Sequence, residues 1–265
     1  MESHRGQQLS TSSSKGQGYY VAGPGEMVKM SEHIKDWYKI GLEDSKWDEA
    51  RVMGAGVLKE IAVAPTDWIL VPSSLPQMEM TEQRLVSTRK TEGVLIFDRF
   101  PANKSKVNIP ANSTAKILLD QEYLTNAYPT LIFSGGQDAR IAIGYSEGLY
   151  IHKDENLDGF RLPLLPKGNR DEVDGKIFIG KTDSIISDGT AHQEFTPLWW
   201  RTYRYIQLSI HTKDEPLVID DVFGTFTGYP FKLKSKLEVN SSEIGKILEI
   251  GWRTARLDMQ TKVAL

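Results

Sequence analysis

An all-β antiparallel sandwich with one C-terminal helix is the architecture the sequence predicts, on three observations. From residue 77 onward, short runs rich in β-branched and aromatic residues recur between clusters of Gly, Pro, Asn and Asp, the spacing of a chain that turns back on itself many times. Residues 195–231 hold two such runs around the polar turn 212–216, the pattern of a hairpin with a longer loop. No repeat of fixed period occurs, which argues against propellers and solenoids.

Taken in order, residues 1–18 are polar and small, too poor in apolar surface to offset chain entropy, and are expected to be a disordered tail. Residues 19–76 carry Trp37, Tyr38, Trp47 and Trp68; Trp47 is expected in a core, the commoner place for tryptophan. The sandwich is assigned to 77–235, with strands expected over 93–100, 115–124, 129–133, 139–145, 175–180, 199–211 and 217–226. Ser134-Gly135-Gly136-Gln137-Asp138 is a strong turn, so 131–133 and 141–143 are expected to pair as a hairpin. A Pro-rich loop is expected over 162–166. In 205–211, Ile206, Leu208 and Ile210 alternate with Gln207, Ser209 and His211, which predicts a strand with one face on a core. The preceding stretch is bulky on both faces, so something is expected to cover it. Residues 236–265 form the last unit. Asn240 and Glu243 have capping-box spacing, and Ile244, Ile247, Leu248, Gly251, Trp252 and Ala255 fall on one face of a helix over 241–257.

Composition excludes several functions. With 265 residues, core size is not limiting. A formal net charge of -3 argues against a dedicated nucleic-acid partner, though it leaves room for a local basic patch. There is no cysteine, hence no disulfide, thiolate metal site or cysteine nucleophile. No apolar run is long enough for a membrane span, and the N-terminus has no apolar core of a signal peptide. The five histidines have neither a Gly-X-Ser-X-Gly elbow nor metal-ligand spacing, so no cofactor or metal is expected.

For glycoside chemistry two carboxylates at set separation are needed. Glu172 and Asp174, if extended, would lie on one face about 6.5 Å apart, whereas the adjacent Asp220 and Asp221 would point to opposite faces. None of the four is assigned a catalytic role. The binding or interface candidates are two groups. Trp199, Trp200, Arg201 and Tyr203 form an aromatic and basic cluster, read either as packing or as a sugar-stacking platform. Asn169, Arg170, Asp171 and Glu172 form a loop that either fixes its own shape by an ion pair or borders a ligand site.

Leu198 to Leu208, reading LWWRTYRYIQL, resembles the strand that closes the β-sandwich ahead of the catalytic barrel in bacterial α-L-rhamnosidases. Lys167 to Val173 is similar to that family's glycine-asparagine-arginine-acid loop, and Glu249 to Leu257 to its helix leading into the barrel. Leu42 to Ala50 resembles the signature that begins a jelly-roll module in these and related glycosidases. The resemblance runs from about Trp47 to Leu257 and implies a jelly-roll or concanavalin-like sandwich, a partial N-terminal sandwich module within 19–76, and a linker helix. After Leu257 the family's acidic catalytic segments do not follow, so the resemblance implies a non-catalytic portion, inactive alone, whose partner is the missing (α/α) barrel. The parent enzyme would hydrolyse terminal α-L-rhamnose from glycans or glycosides by inversion, in a periplasmic or extracellular setting. Two alternatives stay open: a carbohydrate-binding sandwich for rhamnose-containing glycans, and a structural or partner-binding domain. Self-association through the helix is expected from its apolar face.

Overall fold

The computed structural model describes residues 25–59, 68–97, 99–151, 165–238 and 240–258. The expected tail 1–18, most of the Pro-rich loop and residues 259–265 lie outside them. The strands are β1 (Met27–Lys29), β2 (Val57–Leu58), β3 (Ile69–Leu70), β4 (Glu79–Gln83), β5 (Ser87–Glu92) and β6 (Val107–Ile109). There follow β7 (Thr114–Gly135), β8 (Arg140–Ser146), β9 (Lys181–Ile186), β10 (Gln193–Phe195), β11 (Arg201–His211) and β12 (Leu217–Gly228), then the helix α1 (Ser242–Asp258). The fold is the expected β-sandwich with a C-terminal helix. Ten strands form one sheet curled into two layers, while β2 and β3 make a separate parallel pair.

β7 belongs to both layers. Its first half, 114–120, lies between β5 and β11, and beyond β11 come β8, β9 and the parallel edge strand β1. Its second half, 127–135, lies between β10 and β12, and β12 carries β6 and β4 on its far side. The strand turns between the halves at Glu122, which has φ +68 and whose N–H donates to Asp120 Oδ1 at 2.7 Å. Ala115, Ile117 and Leu119 from one half and Ala127, Leu131 and Phe133 from the other then meet in one core, joined by Ile206, Leu208 and Ile210 of β11. The predicted alternation in β11 therefore holds, with all three residues fully buried.

Several local expectations are corrected. Residues 115–124 and 129–133 are one strand, not two. The turn 134–138 forms no hairpin, because β8 pairs with β9 and β11 in the other layer; left-handed Gly135, Gly136 and Asp138 carry the chain across instead. The 212–216 loop likewise joins the layers, since β7 lies between β11 and β12. Residues 93–97 are not a strand: β5 ends at Glu92, before Gly93, whose φ is +70 and where an added Cβ would sit 2.0 Å from the Thr114 carbonyl oxygen. Val94 and Ile96 still pack on the core. In place of a strand at 175–180 there is a single bridge, Tyr150 to Ile177, and the strand is β9. Glu172 and Asp174 accordingly sit in turns and not on one strand face. Trp47 is not buried but 46% exposed, because residues 36–47 run mostly as hydrogen-bonded turns.

Candidate functional site

The outward positions of the second layer make the floor of a cleft of about 660 Å³. Side chains alternate across a strand, so the register that buries Ala127, Leu131 and Val222 puts Tyr128, Thr130, Phe223 and Thr225 on the opposite face. Segment 26–38 runs beside this floor and supplies His33, Lys35, Asp36, Trp37 and Tyr38. The approach to β11 closes another side with Glu194, Thr196 and Leu198, and Met80 of β4 reaches in from the sheet edge. Trp37 and Tyr38 meet edge to face with ring centroids 5.9 Å apart, and both keep large exposed surfaces. Aromatic faces beside carboxylates, imidazoles and hydroxyls are what a polyhydroxylated ligand with apolar C–H faces requires.

The cleft wall is anchored by a buried charge cluster. Arg201 binds Asp183 through two bonds, Nε to Oδ2 at 3.0 Å and Nη2 to Oδ1 at 2.6 Å, with Glu26 3.7 Å from the same Nη2. The Glu26 N–H donates to Asp183 Oδ1 at 2.8 Å, and Glu26 Oε1 accepts the Leu198 N–H at 2.7 Å. Burial pushes the Glu26 carboxyl above its ordinary value; the Leu198 amide and Arg201 pull the other way, and Asp183 adds to the rise. Burial also lowers His33. For Arg201, burial opposes the charge but Asp183 outweighs it, so the guanidinium is held charged.

The residues singled out in the sequence part into three places. Trp199 and Trp200 stack at 4.6 Å with planes 25° apart directly after Leu198 of the cleft; Trp199 is 50% exposed and Trp200 half-buried. Arg201 and Tyr203, which follow in β11, are buried. Asn169, Arg170, Asp171 and Glu172 are all exposed on the outer face of the first layer. There Asp171 pairs with Arg204, its carbonyl accepts from Arg89 Nη2 at 2.5 Å, and the Arg170 carbonyl accepts from the Tyr205 hydroxyl at 2.5 Å. The loop is thus held by arginines of the sheet. Asp171 is held below the usual carboxylate range by its hydrogen bond to Arg204 and the charges of Arg204 and Arg89. The segment carrying this loop covers β11, with Val173 and Phe178 packed on Leu118, Leu149 and Tyr205. Asp220 and Asp221 do point apart, to Ser134, Lys106 and His192 in one case and to Arg84 in the other.

The cleft residues themselves were not foreseen. The signal was the pair of aromatics Tyr128 and Phe223 on strand faces that would otherwise be polar. Among the described residues no group of three or more His, Asp or Glu is arranged to hold a metal.

No family model matches the sequence, and no curated protein matches it. Solved structures do. An α-L-rhamnosidase from Dictyoglumus thermophilum shares 14% identity at a TM-score of 0.50, covering 89% of this chain and 22% of that one. A rhamnosidase from Klebsiella oxytoca with rhamnose bound shares 8% identity at 0.50, covering 70% and 36%. A rhamnosidase of Bacillus sp. GL1 matches at 14% identity and 0.44, over 63% and 15%. The first two likenesses show the fold, and the chain spans well under half the length of each.

Proposed function

We propose that this chain is a non-catalytic β-sandwich of a rhamnosidase-like glycosidase and that it binds glycan in the cleft above β7 and β12. The observation that carries the reading is the cleft itself, where exposed Trp37 and Tyr38 stand beside Glu194, His33 and Thr225 over an aromatic floor. The resemblance of 198–208, 167–173 and 249–257 to α-L-rhamnosidases supports the parentage, as does a fold shared with rhamnosidases, one of them holding rhamnose. Of the carboxylates that line the cleft, Glu26 is engaged with Leu198 and Arg201 and Asp36 with Lys39 at 2.8 Å, which leaves Glu194 without the second carboxylate that glycoside hydrolysis requires. Hydrolysis is therefore assigned to a separate catalytic barrel.

Calorimetry with a rhamnose-containing oligosaccharide tests this. Trp37→Ala is expected to weaken binding about tenfold, an aromatic stacking contribution of about 1.4 kcal/mol, with an unchanged circular dichroism spectrum. A chromogenic α-L-rhamnoside should not turn over. No glycan binding, or turnover that survives repurification and is lost in Glu26→Gln, would refute the proposal.

A second reading, a docking domain for another folded unit, is favoured by α1. The helix rests on the sandwich through Trp252, Arg253, Arg256 and the Leu257 carbonyl, whereas Ile244, Ile247 and Leu248 are exposed. Under the rhamnosidase reading that unit is the barrel.

A further inference from the structure

We propose, resting on the glycan-binding reading above, that Glu26 is the polar anchor of the cleft: its Oε2 accepts a hydrogen bond from a sugar hydroxyl and so selects which hydroxyl pattern is held. Glu26 is only 6% exposed and lines the cleft. Its Oε1 accepts the Leu198 N–H at 2.7 Å. Arg201 does not complete the set, because its two bonds go to Asp183 and its Nη2 stands 3.7 Å from Glu26 Oε1, beyond hydrogen-bond reach. Oε2 has no hydrogen-bond partner among the described residues, yet it is not sealed from solvent. The space that Glu26 lines is the cleft, so Oε2 opens there.

A nearly buried carboxylate oxygen without a donor carries a desolvation cost that a ligand hydroxyl relieves. Burial, above all, raises the Glu26 carboxyl, in keeping with an oxygen short of donors. The anchor is also rigid: the Glu26 N–H donates to Asp183 Oδ1 at 2.8 Å, and the chain then enters β1 along β9. An acceptor already fixed by its own backbone and by the Leu198 amide loses little freedom when a ligand arrives. It therefore discriminates. A sugar that lacks the hydroxyl leaves the oxygen unpaired, and one with a carboxylate at that point meets a like charge. Glu26 holds the sugar and breaks no bond in it.

The test is an NMR titration of the full chain with methyl α-L-rhamnoside and its 2-, 3- and 4-deoxy analogues. The proteins are the parent, Glu26→Gln, whose amide oxygen can still accept the Leu198 N–H, and Glu26→Asp, one methylene shorter. In the parent, one deoxy analogue should bind at least about tenfold more weakly than the intact sugar, equivalent to about 1.4 kcal/mol. In either variant the intact sugar should bind about tenfold more weakly, and that same analogue no more than about twofold more weakly still. Such cancellation marks a direct contact, whereas a purely structural role for Glu26 would weaken all four ligands alike. Additive losses for every analogue, or variants within about twofold of the parent, overturn this inference and leave the glycan-binding reading standing. So does failure of the four monosaccharides to bind where a rhamnose-containing oligosaccharide does. Binding of no sugar at all overturns both.

Discussion

Asp120 is a polar side chain on which several elements converge. Its carboxylate is fully buried and accepts from Arg204 Nε at 3.1 Å, Arg89 Nη1 at 2.6 Å and the Glu122 N–H at 2.7 Å, so it both pairs with two arginines and caps the bend of β7. Removing one partner of a buried ion pair leaves an uncompensated charge and typically costs about 3–5 kcal/mol. Asp120→Ala should therefore lower the unfolding free energy by that amount, read as a fall in the urea midpoint with the slope unchanged; a loss below about 1 kcal/mol would show the arginines are solvated. Glu26 makes stability depend on pH. Its folded carboxyl is raised above the ordinary 4.5 by burial, so its contribution to stability is fully present below that value and is lost as pH rises through the raised one. Glu26→Gln removes the ionisation and should flatten the stability profile from pH 4.5 upward. Urea midpoints measured across pH 4–7 for both proteins check it, and parallel profiles would rule out the linkage. Neither role was legible in the sequence, because desolvation depends on what lies over a residue and not on its neighbours along the chain.

Among the elements, β11 shows where alternation succeeds and where it stops. Ile206, Leu208 and Ile210 are core residues as their spacing predicts, but the register shifts between Tyr203 and Tyr205. That bulge sends Tyr203 into the main core and Tyr205 to the outer cluster, although period two would put them on one face. The helix is a similar case. Its extent, Ser242–Asp258, and its apolar stripe follow the periodicity, yet the face that docks is the one carrying Trp252, Arg253 and Arg256. Arg256 bonds Glu79 at 2.7 Å and lies over Phe226, and Arg253 lies over Tyr123. The stripe of Ile244, Ile247 and Leu248 is left to solvent. Burying one such side chain is worth about 1.5–3 kcal/mol, so the chain is expected to self-associate. Ile247→Lys, or removal of 242–265, should give a monomer with the β spectrum intact. Light scattering after size exclusion, together with circular dichroism, reads both; a parent that is already monomeric, or a shortened chain that loses its β structure, contradicts this.

At the scale of the whole molecule, the two layers are linked by one strand. β7 contributes to both, and its ends are brought to the same rim by Thr114 opposite His211 and Gly135 opposite Leu217. This is why neither expected hairpin formed. A turn signal such as 134–138 states that the chain reverses, but a reversal within a sheet and a crossing between layers use the same residues. The candidate site follows the same logic. Tyr128 and Phe223 could be placed on outward strand faces from alternation alone, whereas Trp37 and Tyr38 join them only because β1 pairs in parallel with β9 and lays segment 26–38 along the second layer. The sequence by itself determined the β class, the core face of β11, the final helix and the exclusion of cysteine chemistry, since period, propensity and composition are local properties. Tertiary structure alone decided the pairing of the strands and the burial of Asp120 and Glu26, because each depends on contacts between segments distant along the chain, such as Arg204 with Asp120, 84 residues apart, and Leu198 with Glu26, 172 apart.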